Sequence, residues 1–263
     1  MRRISTLLAA GLCAGALVLQ TPAQAAVDMS LTRLDCGTPQ APTAVNERFS
    51  DTYSYGDLKL QFVYSCYLIK HDDQYLLWDT GHAMTTPNVA PKVSIVDQIA
   101  QLGVKPDDVK AMGVSHTHPD HIGNVEMFPQ AVLYVQKAEY NWPGADNKPR
   151  FKPEHPVTLL EGDKDVFGDG SVVILSTPGH TPGHQSLQVT LPKTGEIVLS
   201  GDAVHFKSNW ENRGVPVNNF SKEQTLASME RLSGVLTKDK AQLWINHDKA
   251  QRDTLKMSPE FYE

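Results

Sequence analysis

Cysteine is scarce in this chain: three residues in 263. None stands in a C-x-x-C arrangement, which removes the thiolate zinc sets and the redox motif built on that spacing. One of the three, Cys13, lies in the leading segment behind Leu12, where a lipid-anchor site wants a small residue. Basic charge is not in excess either. With 24 Lys and Arg against 30 Asp and Glu the net charge is −6, so there is no electrostatic footprint for nucleic acid or anionic lipid. Internal repeats, low-complexity tracts and a linker that would split the chain are all absent. Apart from one run at the start, so are apolar stretches long enough to matter for a membrane.

That one run marks an export signal. Met1-Arg2-Arg3 is a basic start, Ile4 to Leu19 is small and apolar, and Ala23-Gln24-Ala25 is an A-x-A site. The run is too short and wrongly flanked for a spanning helix. Residues 1–25 are expected to be a signal peptide cleaved after Ala25, and residues 26–263 a single domain. The protein is then periplasmic or secreted, with no stable membrane anchor. The two cysteines left, Cys36 and Cys66, lie in or beside apolar runs. In an oxidising compartment they close a disulfide or remain two buried thiols, and both readings stand.

What is present in abundance is concentrated in one place. Ser115-His116-Thr117-His118-Pro119-Asp120-His121 holds three histidines and an aspartate in the pattern H-x-H-x-D-H. A strand would send alternate side chains to opposite faces, and a helix would scatter them, with Pro119 interrupting it. A loop beyond the short strand Ala111 to Val114 can turn all four toward one point. Neutral imidazoles and a carboxylate are the usual ligands of a zinc-like ion.

The rest of the chain reads as strands with occasional helices. Strands are expected at Leu31 to Cys36, at Leu60 to Ile69 and Gln74 to Trp78 as a hairpin turning at His71-Asp72-Asp73, and at Ala131 to Val135. Four more follow at Val157 to Leu160, Ser171 to Ser176, Ser186 to Thr190 and Ile197 to Leu199, and a last one at Gln242 to Ile245. Ile95, Ile99 and Leu102 are spaced for a helix closed by Gly103, and Lys137 to Trp142 is a short helix. Ser221 with Gln224 forms a capping box before a helix whose apolar face is Leu226, Met229, Leu232 and Val235. Pro143 to Pro156 is a surface loop with the character of a lid. Strands without strict βα alternation imply two sheets packed together with helices outside.

Three further segments end strands with candidate ligands: Thr177-Pro178-Gly179-His180 followed by Thr181-Pro182-Gly183-His184, Ser200-Gly201-Asp202, and Asn246-His247-Asp248 with Gln251 beyond it. With these and the H-x-H-x-D-H run, the chain resembles a metallo-β-lactamase-fold hydrolase over nearly all of its length after the signal. Within that superfamily it most resembles the N-acyl-homoserine lactonases. The resemblance implies an α/β fold, an αββα sandwich of two mixed sheets packed face to face. It implies two divalent metal ions, zinc by default: His116, His118 and His180 on the first, Asp120, His121 and His247 on the second, and Asp202 bridging both. It further implies that a hydroxide held between the ions opens a lactone or ester ring of a small-molecule substrate, with Asp120 and Asp202 serving catalysis.

The resemblance also makes His184 and Asp79 supports of the ligands rather than ligands, and leaves His71, His82 and His155 as surface or structural residues. One position departs from it. His205 stands where the best-known lactonases carry a tyrosine that polarises the substrate carbonyl; a histidine there can donate a hydrogen bond too, but titrates near neutral pH. Loop aromatics Trp142, Phe206, Trp210 and Phe220 could line an acyl-chain groove. A homodimer is left open.

Competing activities are separable. A phosphotriesterase or arylesterase like the methyl-parathion hydrolases shares the ligands and export, and is the second choice. A β-lactamase of this fold usually lacks a bridging carboxylate at the Asp202 position. A glyoxalase-II-like thioesterase shares the seven ligands but resembles a cytosolic enzyme. A flavo-diiron oxidase would carry a glutamate in place of His118. A non-catalytic envelope protein would have no need of the complete ligand set.

Overall fold

A computed structural model describes residues 27–90, 94–143 and 147–263. The expected signal peptide lies outside the described residues. Among the described residues, eleven strands form the two large sheets, each with its strands in chain order, and two short strand pairs lie outside them. The first holds β1 (Met29–Asp35), β2 (Ser65–His71), β3 (Gln74–Trp78), β4 (Val109–Gly113), β5 (Val132–Gln136) and β6 (Val157–Leu160). Pairing is antiparallel from β1 to β3 and parallel from β3 to β6. The second holds β7 (Lys164–Asp165), β8 (Val172–Ser176), β9 (Gln185–Leu191), β10 (Gly195–Leu199) and β11 (Gln242–Trp244), antiparallel except for the last pair.

Alternation along the strands builds the layers. In β2, Tyr67 and Ile69 face the second sheet and join Leu31, Leu76, Trp78, Ile174, Leu187, Ile197 and Trp244 in the core between the sheets. Cys66 and Leu68 face the other way, onto a layer that includes Ile95 and Ile99 of the helix Ile95–Gln101. On the far side, Leu232 of the helix Lys222–Asp239 packs on Leu175 and Val198, and Met229 on Val204 and Ile245. Strands with apolar residues on both faces are buried on both, and the result is the expected αββα sandwich. Among the described residues no helix is long and apolar enough to cross a membrane.

Four local expectations change. The strand expected from Leu60 begins only at Ser65, because Lys59–Leu60 pairs instead with Thr43–Ala44. His71 belongs to β2, and the turn is Asp72-Asp73, with Asp72 at φ 52°. Pro119 begins a one-turn helix, Pro119–Ile122, rather than interrupting one. A proline at the first helical position gives up only a donor that has no partner there. Ser221 caps its helix by accepting from the Gln224 N–H, but its own N–H donates to the Gly179 carbonyl, so no capping box closes.

Cys36 and Cys66 form a disulfide, with Cα atoms 5.9 Å apart and the two positions 30 apart in sequence. The bridge pins β2 to the segment after β1, where Cys36 and Gly37 already pair with Tyr64 through backbone hydrogen bonds. Reduction, or Cys36→Ser with Cys66→Ser, is expected to lower unfolding free energy by about 2–4 kcal/mol. Denaturant melts of oxidised and reduced protein check this; identical midpoints would show that the bridge contributes nothing.

Candidate metal centre

The candidate ligands sit just past the carboxyl ends of strands: the histidine cluster after β4, His180 after β8, Asp202 after β10 and His247 after β11. These strands end at a common edge, so loops remote in sequence meet there. The one-turn helix at Pro119 presents Asp120 and His121 inward, and His118 is its N-cap residue. Every one of the seven predicted residues is in the cluster.

They fall into two sets. His116, His118, His180 and Asp202 form one, and Asp120, His121, Asp202 and His247 the other, each with its donor atoms within 4.8 Å of one another. In the first, His118 Nδ1 stands 2.8 Å from His116 Nε2 and 3.1 Å from His180 Nε2. Asp202 Oδ2 lies 3.7 and 3.5 Å from the same two Nε2 atoms. In the second, Asp202 Oδ1 is 2.9 Å from His247 Nε2 and 3.3 Å from His121 Nε2, and Asp120 Oδ2 is 3.7 and 3.5 Å from them. Asp202 therefore turns one oxygen to each set.

These donor sets fit divalent cations. Three imidazole nitrogens converge in the first set without enough protons to satisfy one another. In the second, buried His121 Nε2 and Asp202 Oδ1 have no hydrogen-bond partner, though buried polar atoms normally find one. Imidazole and carboxylate at this density is a zinc-like donor set.

A surrounding layer aims these atoms. Asp79, at φ 56°, accepts from the Ser115 N–H at 2.6 Å and hydroxyl at 3.0 Å and lies 2.9 Å from His121 Nδ1, leaving Nε2 to point inward. The Val63 carbonyl accepts from His247 Nδ1 at 2.8 Å. His184 does not join either set. Its Nε2 accepts from the Asp202 backbone N–H at 2.8 Å, and its Nδ1 donates to the Thr177 carbonyl at 2.9 Å. Gly201, at φ 53°, is required beside it, since a Cβ there would sit 2.7 Å from His184 Nε2. Replacing His184 with alanine is expected to cost about 10–100-fold in metal affinity or kcat/KM; metal analysis and kinetics check it, and full occupancy with wild-type turnover would dismiss the role.

Electrostatics agree with this division of labour. Burial, helped by neighbouring imidazoles, pushes His116 and His180 well below the usual histidine range, and burial takes His184 down to about 3. These rings are neutral, as nitrogen ligands must be. For His121 and His247 burial also opposes charge, but the Asp202 carboxylate and its neighbours outweigh it and push both upward. The carboxylates thus draw positive charge to the second set. Asp202 itself is held well below the carboxylate range, burial being overcome by His247 and His121.

The remaining predicted histidines separate cleanly. His71 stacks on Phe167 at 4.1 Å and pairs with Asp169, and His155 is buried and belongs to neither donor set. His205 lines the cleft above the cluster, but its Nε2 is 3.2 Å from Asp202 Oδ2, and its Nδ1 is buried without a partner. It steadies the shared carboxylate and presents no free N–H to the cleft.

That cleft, about 210 Å³, is lined by Phe49, Phe62, Tyr64 and Arg48 as well as by the cluster. The aromatics expected there behave otherwise. Phe206 packs beneath Phe49 and Phe62, and Trp210 packs on the helix layer under Arg213. Trp142 and Phe220 meet edge to face at 6.2 Å, with Trp142 6.3 Å from His118. Phe206 and Trp210 follow elements whose apolar faces turn inward, whereas the segment from Thr43 to Tyr64 folds over the cluster. Phe49 lies in a stretch of sequence without regular periodicity, and nothing local places it at the site.

Glu139 was missed as well. It is fully buried, accepts from Thr117 N–H and Oγ–H at 2.8 Å each and from the Gly183 N–H at 3.0 Å, and so ties the two histidine loops together. Its one signal was an acid on a short helix next to buried residues.

The sequence profile of the metallo-beta-lactamase superfamily matches residues 61–238. An N-acyl homoserine lactonase AttM of Rhizobium radiobacter is 37% identical over 180 residues, covering 64% of this chain and 68% of its own. An N-acyl homoserine lactonase of a Bacillus species is 34% identical over 218 residues, covering 74% of this chain and 85% of its own. The crystal structure of a quorum-quenching N-acyl homoserine lactone lactonase superposes with a TM-score of 0.77 at 29% identity, over 89% of this chain and 98% of that one. An N-acyl homoserine lactone hydrolase with the product N-hexanoyl-L-homoserine bound at its catalytic metal centre superposes with a TM-score of 0.74 at 28% identity, over the same shares.

Proposed function

The chain belongs to the metallo-beta-lactamase superfamily and is a metal-dependent hydrolase, and from that premise we propose that it opens the ester ring of N-acyl homoserine lactones. The observation that carries the reading is the pair of four-donor sets sharing the two oxygens of Asp202 at the floor of a partly aromatic cleft. Relatives covering most of their own length against this chain support the substrate class.

His116, His118, His180 and Asp202 would hold one divalent ion, and Asp120, His121, His247 and Asp202 the other, with zinc the natural occupant of such donors. When bound, such a pair supplies Lewis acidity that brings a water's pKa near neutrality and polarises an ester carbonyl. The chain's own part is positioning and proton traffic. His184, Asp79 and the Val63 carbonyl fix the ligands before substrate arrives. Asp120, the ligand carboxylate with 20% of its side chain exposed to the cleft, takes the attacking water's proton at a carboxylate oxygen. It returns that proton to the ring oxygen as the C–O bond opens. Phe49 and Phe62 offer apolar surface to an acyl chain.

Export to the periplasm or beyond is part of the proposal; its supports are the leader sequence and the Cys36–Cys66 bridge, a bond that persists in oxidising compartments. The test is a substrate panel on zinc-loaded protein. Lactone opening is expected to exceed hydrolysis of a phosphotriester and of a cephalosporin, to vanish on exhaustive chelation and to return with added zinc. A phosphotriester turned over faster than any lactone would transfer the assignment to the second choice, and full activity after chelation would end the metal mechanism.

A further inference from the structure

The cleft holds carboxylates, imidazoles and aromatic rings, and, among its described lining residues, one permanent cation. Arg48 ends the one-turn helix Val45–Arg48, which the pairing of Thr43–Ala44 with Lys59–Leu60 holds over the cluster. Its guanidinium lies 5.1 Å above the Phe49 ring, and it shares the cleft wall with Tyr64, Thr43 and Asn218. The backbone behind it is anchored, the Val217 N–H donating to the Arg48 carbonyl.

Other cations nearby are occupied. Lys222 pairs with Asp51, Arg213 with Glu230 and Lys207 with Glu211. No carboxylate among the described residues pairs with Arg48, although the chain has 30 acidic residues against 24 basic. A guanidinium drawn to an aromatic face in this way keeps its planar fork available to grip a carboxylate through two parallel hydrogen bonds. Tyr64, Asn218 and Thr43 line the same cleft and bring hydrogen-bonding groups of their own to it.

We propose that Arg48 makes this cleft selective for lactones whose acyl arm carries a carboxylate. The inference rests on the lactone reading and names the substrate class within it. The apolar surface of Phe49 and Phe62 takes the methylene part of the arm, and Arg48 beside it takes the charged end.

The test uses zinc-loaded protein and lactone pairs of equal acyl length, one ending in a carboxylate and one in a carboxamide. Wild type is expected to favour the carboxylate on the order of tenfold in kcat/KM, through KM, because one charge-assisted pair at a partly exposed wall is worth about that much. Arg48→Met should bring the ratio to about one, and Arg48→Lys should keep part of it by charge without the fork. Added salt should erode the preference in wild type and leave the Met variant's ratio alone. The same pairs as non-hydrolysable lactams are titrated calorimetrically. If neither lactone turns over, the lactone reading falls while the lactams still report the preference. Equal kinetics and equal lactam affinities in wild type, or a preference that survives Arg48→Met, would overturn the role of Arg48.

Discussion

Replacing Asp202 with alanine is expected to empty both donor sets at once and to lower lactone opening by at least about 10³-fold, since Lewis-acid stabilisation by such a pair is worth several kcal/mol. Asp202 is the only residue common to the two sets, with Oδ2 toward His116 and His180 and Oδ1 toward His121 and His247. Without it, the first set keeps three neutral imidazoles and no anion, and the second keeps Asp120 alone against two rings that the carboxylates had pushed toward the charged form. Metal content, kcat/KM and circular dichroism on the same preparation separate loss of the site from loss of the fold. Normal turnover with one retained metal would refute a two-metal mechanism.

Glu139→Ala is expected to act on both stability and activity. Three donors lose an ionised acceptor inside the protein: the Thr117 N–H, the Thr117 hydroxyl and the Gly183 N–H. Hydrogen bonds to charged groups contribute about 1.5–3 kcal/mol each, and stranding buried donors costs more than replacing both partners. Allowing for relaxation, the loss is about 3–5 kcal/mol, or roughly 10 °C in Tm. Activity should fall by about 10–100-fold as well, because Thr117 lies between the candidate ligands His116 and His118, and Gly183 lies in the loop that carries His180 and His184. Glu139→Gln should recover part of both, since one oxygen still accepts. A Tm within about 2 °C of wild type, less than a lone neutral hydrogen bond would cost, would show that the two histidine loops stand without this tie.

Glu139 also shows where a linear reading stops. Its partners are 22 and 44 residues away in sequence, and an acid on a four-residue helix looks like any solvated glutamate until the fold buries it. The cleft wall is a similar case. Arg48 and Phe49 come from a stretch with neither helical nor strand periodicity, and Phe62 and Tyr64 from one that reads as the start of a strand, so no pattern places them over the metal site. His205 was visible as a candidate because of its position after Asp202, but only the orientation of its ring reveals that Nε2 turns to Asp202 and Nδ1 is buried. The histidine cluster, by contrast, was plain, because ligand residues packed so densely beyond a strand serve no packing purpose.

From the residues came two sheets with helices outside and the dense histidine cluster, since alternation along strands and donor chemistry are local properties written in side-chain type, while the set of seven ligands came with the family resemblance those motifs carry. Which oxygen of Asp202 faces which set, whether Cys36 reaches Cys66, and what lines the cleft were settled by the folded chain. Those are relations between segments brought to one edge by the order and register of two sheets, and no single stretch of sequence contains them.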